Sequence, residues 1–565
     1  MTDAVKNLID KMMNDYLPEV CLVKEYTEPN YHSNLKPGEY CFINTSTKLA
    51  AAIFYCEYEK YYNIANEMLR KVVSLQCKEG ENSGLWSYFY EEPIEKMVAP
   101  DHNFADFNAY PLLCILKEHG DKLDDKLFNS VKDACVLACE AIIRRNLTVI
   151  YTNPTVMGIY CTVVCGEMFG IEKFIEYGRE KLDKFFFRIM NSGTYDEYNC
   201  PGYSMLIANI YSIMLRHIKD PDMHKKIDKL NRMVWEMLGE HYHCELEEYT
   251  GPNLRQYKNF SNENASAASG LESNTNELLS LLYQTKCPED TLPLFTQKNK
   301  NVEFRRVVSN GYIYPYLGYA YTDTQFIRPN YTLGSFSMMD CWNQHRNVVA
   351  YIGNKDRKVC IRLITLHDFY DFASGFHTTV QEKGTALTLT NFHTDRGDTH
   401  VDLDPVVDAT IKAKDLRVRY LIEANCEDII KNIKIERMPN GCVLDIFGTK
   451  VQIAFPFFEM SGEKAYFEIG NDDKNLFVDA VLYSGEEKQI NLSSLSAAAV
   501  VSYLAVGENE ITEPEIKKSD ETVKAVMTAN GSDIEVSGPY KPMKQMPSVV
   551  LNKSLINGKN IISCI

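Results

Sequence analysis

Four short polar-aromatic stretches hold most of the residues in this chain that could do chemistry. They are Asp101–Asp106, Tyr151–Pro154, Gly193–Tyr203 and Gly251–Tyr257, each at or near an expected helix start. Acid, amide, imidazole, guanidinium and phenol groups crowd them. That mixture suits a carbohydrate cleft, because sugars offer flat faces to rings and dense hydroxyls to polar groups. In the first stretch His102 could shuttle a proton near neutral pH, beside Asp101, Asn103 and Asp106. The same acid and amide groups also cap helices. Asn153 precedes a proline and reads equally as a turn residue. In the third stretch Gly193 and Pro201-Gly202 fix a turn that presents Glu197, Tyr198, Asn199 and Tyr203 on a loop and the first helical turn, where free N–H groups favour anions. In the fourth, Arg255 could grip a carboxylate with two parallel hydrogen bonds. Tyr257 lies two residues on and faces the same side if the segment is extended; a salt bridge is the plainer use of Arg255.

A fifth cluster lies in the second half. Asp340–Arg346 gathers Gln344, His345 and Arg346 around Trp342, one of three tryptophans. Trp stacks well on a sugar face, and also sits well in a core. His377 and His393 stand alone on strand-like segments and read as structural. His241 and Glu245 are four apart, but no recognised zinc spacing follows, so no metal is expected. There is no Walker loop, G-x-G-x-x-G, H-E-x-x-H or nucleophile-elbow serine, and no cofactor is expected.

Composition narrows the classes further. The formal net charge of -17 argues against a nucleic-acid partner. A few cations in one cleft could still hold an anionic substrate. No apolar run is long enough to span a bilayer. Met1–Val20 lacks a secretory signal, and the 17 scattered cysteines fit free thiols in a reducing compartment. A cytoplasmic enzyme without membrane partners is expected, with homo-oligomerisation left open. The 35 tyrosines can bury ring area while offering phenols to a cleft.

The elements that must position these residues divide near Thr291. Apolar periodicity predicts helices over 47–76, 105–118, 124–145, 155–168, 171–190, 202–218, 222–240 and 264–284. Repeated helical hairpins without a sharp sequence repeat point to an (α/α) toroid over 1–290. After it, alternating segments such as Thr385–Thr390 and turn signals such as Asn440-Gly441 predict an antiparallel β-sandwich over 291–510. A small terminal β region is expected over 511–565. The fold class is thus α+β and multidomain, helices first.

A helical toroid followed by an antiparallel β-sandwich resembles the layout of toroid polysaccharide lyases, the heparinase II/III-like, chondroitin/hyaluronate and alginate lyase families. Glu197-Tyr198-Asn199-x-Pro201 with Tyr203, Gly251-Pro252-x-x-Arg255-x-Tyr257, and Trp342-x-Gln344-x-Arg346 resemble motifs of heparinase-like toroid proteins. The resemblance implies β-elimination at a uronic acid. Asn153 and His102 would engage the substrate carboxylate, Arg255 would fix its charge, and Tyr203 or Tyr257 would serve as base and acid. The expected substrate is an oligosaccharide or small glycoside. Two other readings stand beside it. One is an inverting glycoside hydrolase using Glu197 and a second carboxylate such as Asp101 or Glu248, about 6.5–9.5 Å apart. The other is a non-catalytic glycan-binding protein.

Overall fold

The computed structural model describes residues 2–29, 32–260, 277–308, 320–401, 403–472 and 474–562. Its long helices are α1 (Thr2–Met12), α2 (Ile43–Tyr55), α3 (Tyr62–Ser74), α4 (Asn103–His119), α5 (Asp125–Arg145), α6 (Thr152–Phe169), α7 (Glu172–Ser192), α8 (Pro201–His217) and α9 (Pro221–His241). The single helix expected over 47–76 is two, because Glu57 turns into the left-handed region at φ 48° and ends α2. Most of the helix expected over 264–284 lies outside the described residues; within them only Ser280–Tyr283 is α-helical there.

Two rows of helices follow from the patterning. α2, α4 and α6 are buried over most of their length, and α6 has no charged residue before Glu167. α3 and α5 bury one stripe each, Ala65, Met68, Leu69, Val72 in one and Leu127, Val131, Ala134, Cys135, Ala138 in the other. A helix apolar on all sides must be surrounded, whereas an amphipathic one covers it. Accordingly α2 packs on α3 and α4, and α4 packs on α5 and α6.

Beyond Leu292 the chain is mostly antiparallel sheet. One sheet runs, in spatial order, through Met338–Asp340, Gly375–Glu382, Thr385–Phe392, Ala498–Val506, Thr449–Met460, Gly441–Ile446 and Lys434–Met438. A larger one runs through Tyr466–Asn471, Asn475–Asn491, Thr410–Ala424, Lys358–His367, Val348–Gly353, Tyr331–Phe336, Tyr321–Arg328 and Val302–Val308. The two share one core, in which Ile361, Val418 and Val478 meet Leu444, Ile453 and Val500. Glu515–Asn560 forms a third sheet against the first. Ala498–Val506 is therefore buried on both faces: Val500 and Leu504 point into one core, Val501 and Tyr503 into the other. That is why this strand reads as a continuous apolar run rather than an alternation.

The chain forms two compact units that are not separated by one cut. The helical unit comprises the residues up to Asn191, Gly202–Glu236 and the described part of the stretch ending at Thr291. The β unit takes Ser192–Pro201, the described part of the stretch that starts at Met237, and Leu292 onward. Two of the chemistry-bearing loops thus belong with the sheets.

Candidate functional site

Three of the sequence-predicted stretches meet inside the β unit. Asn253 N–H donates to the Arg346 carbonyl (3.2 Å), Arg346 N–H returns to the Asn253 carbonyl (2.9 Å), and Gln256 N–H donates to the Gln344 carbonyl (2.9 Å). The 251–257 segment is thereby laid against 344–346 like an added strand. The Asn199 side-chain amide donates to the carbonyls of Thr250 (2.9 Å) and Pro252 (2.7 Å), and the Asn253 amide donates to the Asn199 carbonyl (3.0 Å). Gly334 lets the segment lie close: a Cβ there would sit 2.0 Å from the Gly251 carbonyl oxygen. Only glycine permits such backbone approach.

Arg255 is the hub of the arrangement. Its Nε donates to Gln344 Oε1 (2.8 Å), its Nη1 to Glu197 Oε1 (3.3 Å) and its Nη2 to Tyr257 Oη (3.3 Å). The guanidinium carbon also lies 5.4 Å from the Trp342 ring centroid, within cation–π range. Glu197 is 5 % exposed and Tyr257 63 %. A buried carboxylate and an amide therefore fix the guanidinium, which points a donor at the oxygen of an exposed phenol.

Beside it stands a dyad. His345 Nδ1 lies 2.9 Å from Asp340 Oδ1, while its Nε2 is buried with no hydrogen-bond partner among the described residues. Burial works to raise the Asp340 carboxyl, but the His345 ring, the Arg396 charge and the Trp342 N–H together hold it below the ordinary aspartate value. The Trp342 ring is 5.3 Å from the His345 ring and 4.7 Å from that of His400. A carboxylate on one imidazole nitrogen with the other left unpaired is the arrangement of an oriented proton carrier.

Behind these groups lies a fully buried network. Tyr198 Oη donates to Asp323 Oδ2 (2.6 Å), and His241 Nε2 lies 2.9 Å from the same oxygen. His241 Nδ1 donates to the Met237 carbonyl at 2.8 Å, since a carbonyl only accepts. Burial and then Asp323 push the Tyr198 phenol well above its ordinary value, so it stays a donor. The Tyr198 phenol, the Asn199 amide N–H groups and the Arg346 guanidinium, expected to touch substrate, bond to neighbouring protein groups, while Asn199 Oδ1 is buried with no partner among the described residues. Arg346 is 4 % exposed and donates to Asn259 Oδ1 (3.1 Å) and the Asn343 carbonyl (2.7 Å). Burial, and then neighbouring Arg362, push its guanidinium down to about 10. His243, near the residues weighed for a metal, pairs through Nε2 with the Arg328 carbonyl (2.8 Å).

The helical unit carries the other predicted residues. Asp101, just outside the N-cap residue His102, accepts from Asn103 N–H (2.9 Å), the first N–H of α4, and from Tyr88 Oη (2.7 Å). Asn103 Oδ1 accepts from Arg145 Nη1 at 2.7 Å. His102 and Asp106 line a small hollow, partly open to solvent, with Arg145, Tyr177 and Lys181. Asn153 is buried in the first turn of α6, and Tyr203 is half-buried in the first turn of α8. Asp323 and the cations Arg145 and Lys181 join these groups without a local sequence signal. Each lies tens of residues from its partner, and no local spacing marks it.

Residues 45–280, less than half of the chain, match the model of a family described as a domain of unknown function, DUF8769. No curated protein matches. Among solved structures the chain is similar to a heparinase III, the BT4657 gene product, at 11 % identity and a TM-score of 0.33, over 88 % of this chain and 82 % of that one. It is also similar to endoglucanase CelQ from Clostridium thermocellum complexed with cellotetraose, at 8 % identity and a TM-score of 0.25, over 84 % and 72 %. A third is native alpha-2-macroglobulin from Escherichia coli, at 8 % identity and a TM-score of 0.24, over 91 % and 72 %. Likeness at this level fixes neither family nor activity. Among the described residues no helix is long and apolar enough to cross a membrane.

Proposed function

We propose that this protein is a carbohydrate-active lyase that cleaves a uronate-containing oligosaccharide or glycoside by β-elimination. The observation that carries the reading is the Arg255 guanidinium, fixed by Glu197 and Gln344, facing both the Trp342 ring and the exposed Tyr257 phenol. Trp342, 8 % exposed, backs the Arg255 guanidinium rather than the sugar. Arg255 compensates the uronate carboxylate, which acidifies the neighbouring C5 proton. Tyr257, entering as the phenolate, takes that proton, the C5 electron pair forms the C4–C5 double bond, and the C4–O bond breaks. Tyr257 returns the proton to the departing oxygen. A guanidinium beside the phenol oxygen stabilises the charge that this cycle places there. His345, oriented by Asp340, is the second proton carrier of the neighbourhood. The inner and outer rows of helices support reading the helical unit as an (α/α) toroid.

The arrangement of Arg255 and Tyr257 favours elimination over inverting hydrolysis. Inverting hydrolysis would need a second carboxylate about 6.5–9.5 Å from Glu197, whereas elimination uses Arg255 and Tyr257 as they stand. The test is Tyr257→Phe with a uronate oligosaccharide as substrate. Unsaturated product should fall about 10²–10⁴-fold with KM little changed. Undiminished turnover in that variant removes Tyr257 from the mechanism.

A further inference from the structure

We propose that the cavity among α4, α5, α6 and α7 of the helical unit binds a small oxyanion, a carboxylate or a phosphate, between the Arg145 guanidinium, the Lys181 ammonium and the Asp106 carboxyl. The inference stands apart from the elimination reading, because every residue that lines the cavity belongs to the helical unit. The hollow is partly open to solvent and is lined also by His102 and Tyr177. Asp106 is 3 % exposed, and its Oδ1 has no hydrogen-bond partner among the described residues. A buried polar group left unmatched is costly, and a ligand that matches it recovers that cost. Arg145 uses Nη1 on Asn103 (2.7 Å). Lys181 Nζ donates to Asn146 Oδ1 and the Leu147 carbonyl (both 2.9 Å), which leaves one of its three donors.

The electrostatics favour an anion over a cation. Burial, opposed in part by Arg145, pushes the Asp106 carboxyl up to about 8, so at neutral pH it is an acid that donates. Burial lowers Lys181, with Lys184 adding to it, and burial with Arg145 lowers His102. Burial and then Asp106 push Tyr177 up to about 12, so it too is a donor. Around Asp106, Asp101 and Arg144 lie beyond the cavity lining at the ends of their helices, and Cys161 faces it from α6. At pH 7 the lining thus holds cations and neutral donors and no ionised carboxylate.

The test is calorimetric titration of the full chain with glucuronate and with inorganic phosphate, with glucose as the uncharged control. At least one anion should bind and glucose should not; which anion binds assigns the pocket to carboxylates or to phosphates. Lys181→Met and Arg145→Gln, each with an unchanged circular dichroism spectrum, should weaken binding about tenfold or more. In the Arg255→Gln background, where the elimination site no longer grips a uronate, a binding event that Lys181→Met and Arg145→Gln weaken should persist, which separates this pocket from the elimination site. Between pH 7 and pH 9 glucuronate keeps its charge while the acid form of Asp106 falls to about a tenth, so wild-type affinity should drop about tenfold. Asp106→Asn, whose amide donates at both pH values, should flatten that profile. Failure of both anions to bind, binding indifferent to Lys181→Met and Arg145→Gln, binding lost with Arg255→Gln, or a pH profile that persists in Asp106→Asn would overturn the proposal.

Discussion

Arg255 and Tyr257 are two apart on a bent segment, and Arg255 Nη2 reaches Tyr257 Oη at 3.3 Å. The pairing was legible in the sequence; the anchoring of Arg255 was not, because Glu197 and Gln344 lie 58 and 89 residues away. The division of labour predicts different costs for these side chains. Glu197→Gln keeps a hydrogen-bond acceptor for Arg255 and should lower activity about tenfold, less than Tyr257→Phe does. A hydrolase that used Glu197 as its acid would show the reverse order, so kcat for the two variants on one substrate discriminates. His345→Gln should lower kcat with little change in KM if the Asp340 dyad carries a proton, and should leave kcat untouched if His345 only packs against Trp342.

At the scale of elements, the site depends on how closely one segment lies on another. Gly334→Ala places a Cβ where the Gly251 carbonyl oxygen sits, so the 251–257 segment must shift. A displacement near 1 Å can cost about 100-fold in rate. The expectation is a large loss of kcat with retained secondary structure; a Gly334→Ala enzyme with full activity would show that this contact does not set the site. The hairpin just before the segment is pinned by Lys358, whose Nζ donates to Glu248 Oε1 (2.6 Å) and the Leu246 carbonyl (2.8 Å), with both charged side chains at most 1 % exposed. Lys358→Met strands a buried carboxylate and should lower unfolding stability by about 3–5 kcal/mol in urea titration. Helix positions were largely readable, since 124–145 and 202–218 lie within a residue of α5 and α8. The break between α2 and α3 was not, because Tyr55-Cys56-Glu57 carries no glycine or proline to mark it.

For the whole molecule, the order of helices then antiparallel sheets was visible in the change of period near Thr291, whereas the transfer of Ser192–Pro201 and the stretch from Met237 to the β unit was not. Those loops are fixed by hydrogen bonds such as Asn199 to Thr250 and Tyr198 to Asp323, which no periodicity encodes. The β unit also carries an acid liability. His377 and His393 are fully buried, and burial pushes both down to about 3 from an ordinary 6.5. Below pH 6.5 the unfolded chain takes up protons at both positions while the folded chain does not. Stability should therefore be full above pH 6.5 and fall by ~1.4 kcal/mol per pH unit for each histidine as the pH drops toward 3. His377→Gln should lessen that slope in thermal melts across pH 7 to 4, and an unchanged slope would mean that other groups set it. The most direct measurement is a mass-spectrometric screen of uronate-containing oligosaccharides and glycosides in heavy-oxygen water. Elimination at Tyr257 predicts a product without incorporated oxygen and with a new conjugated ultraviolet absorbance. A saturated product carrying heavy oxygen would contradict it and put Glu197 and a partner carboxylate at the centre of a hydrolase.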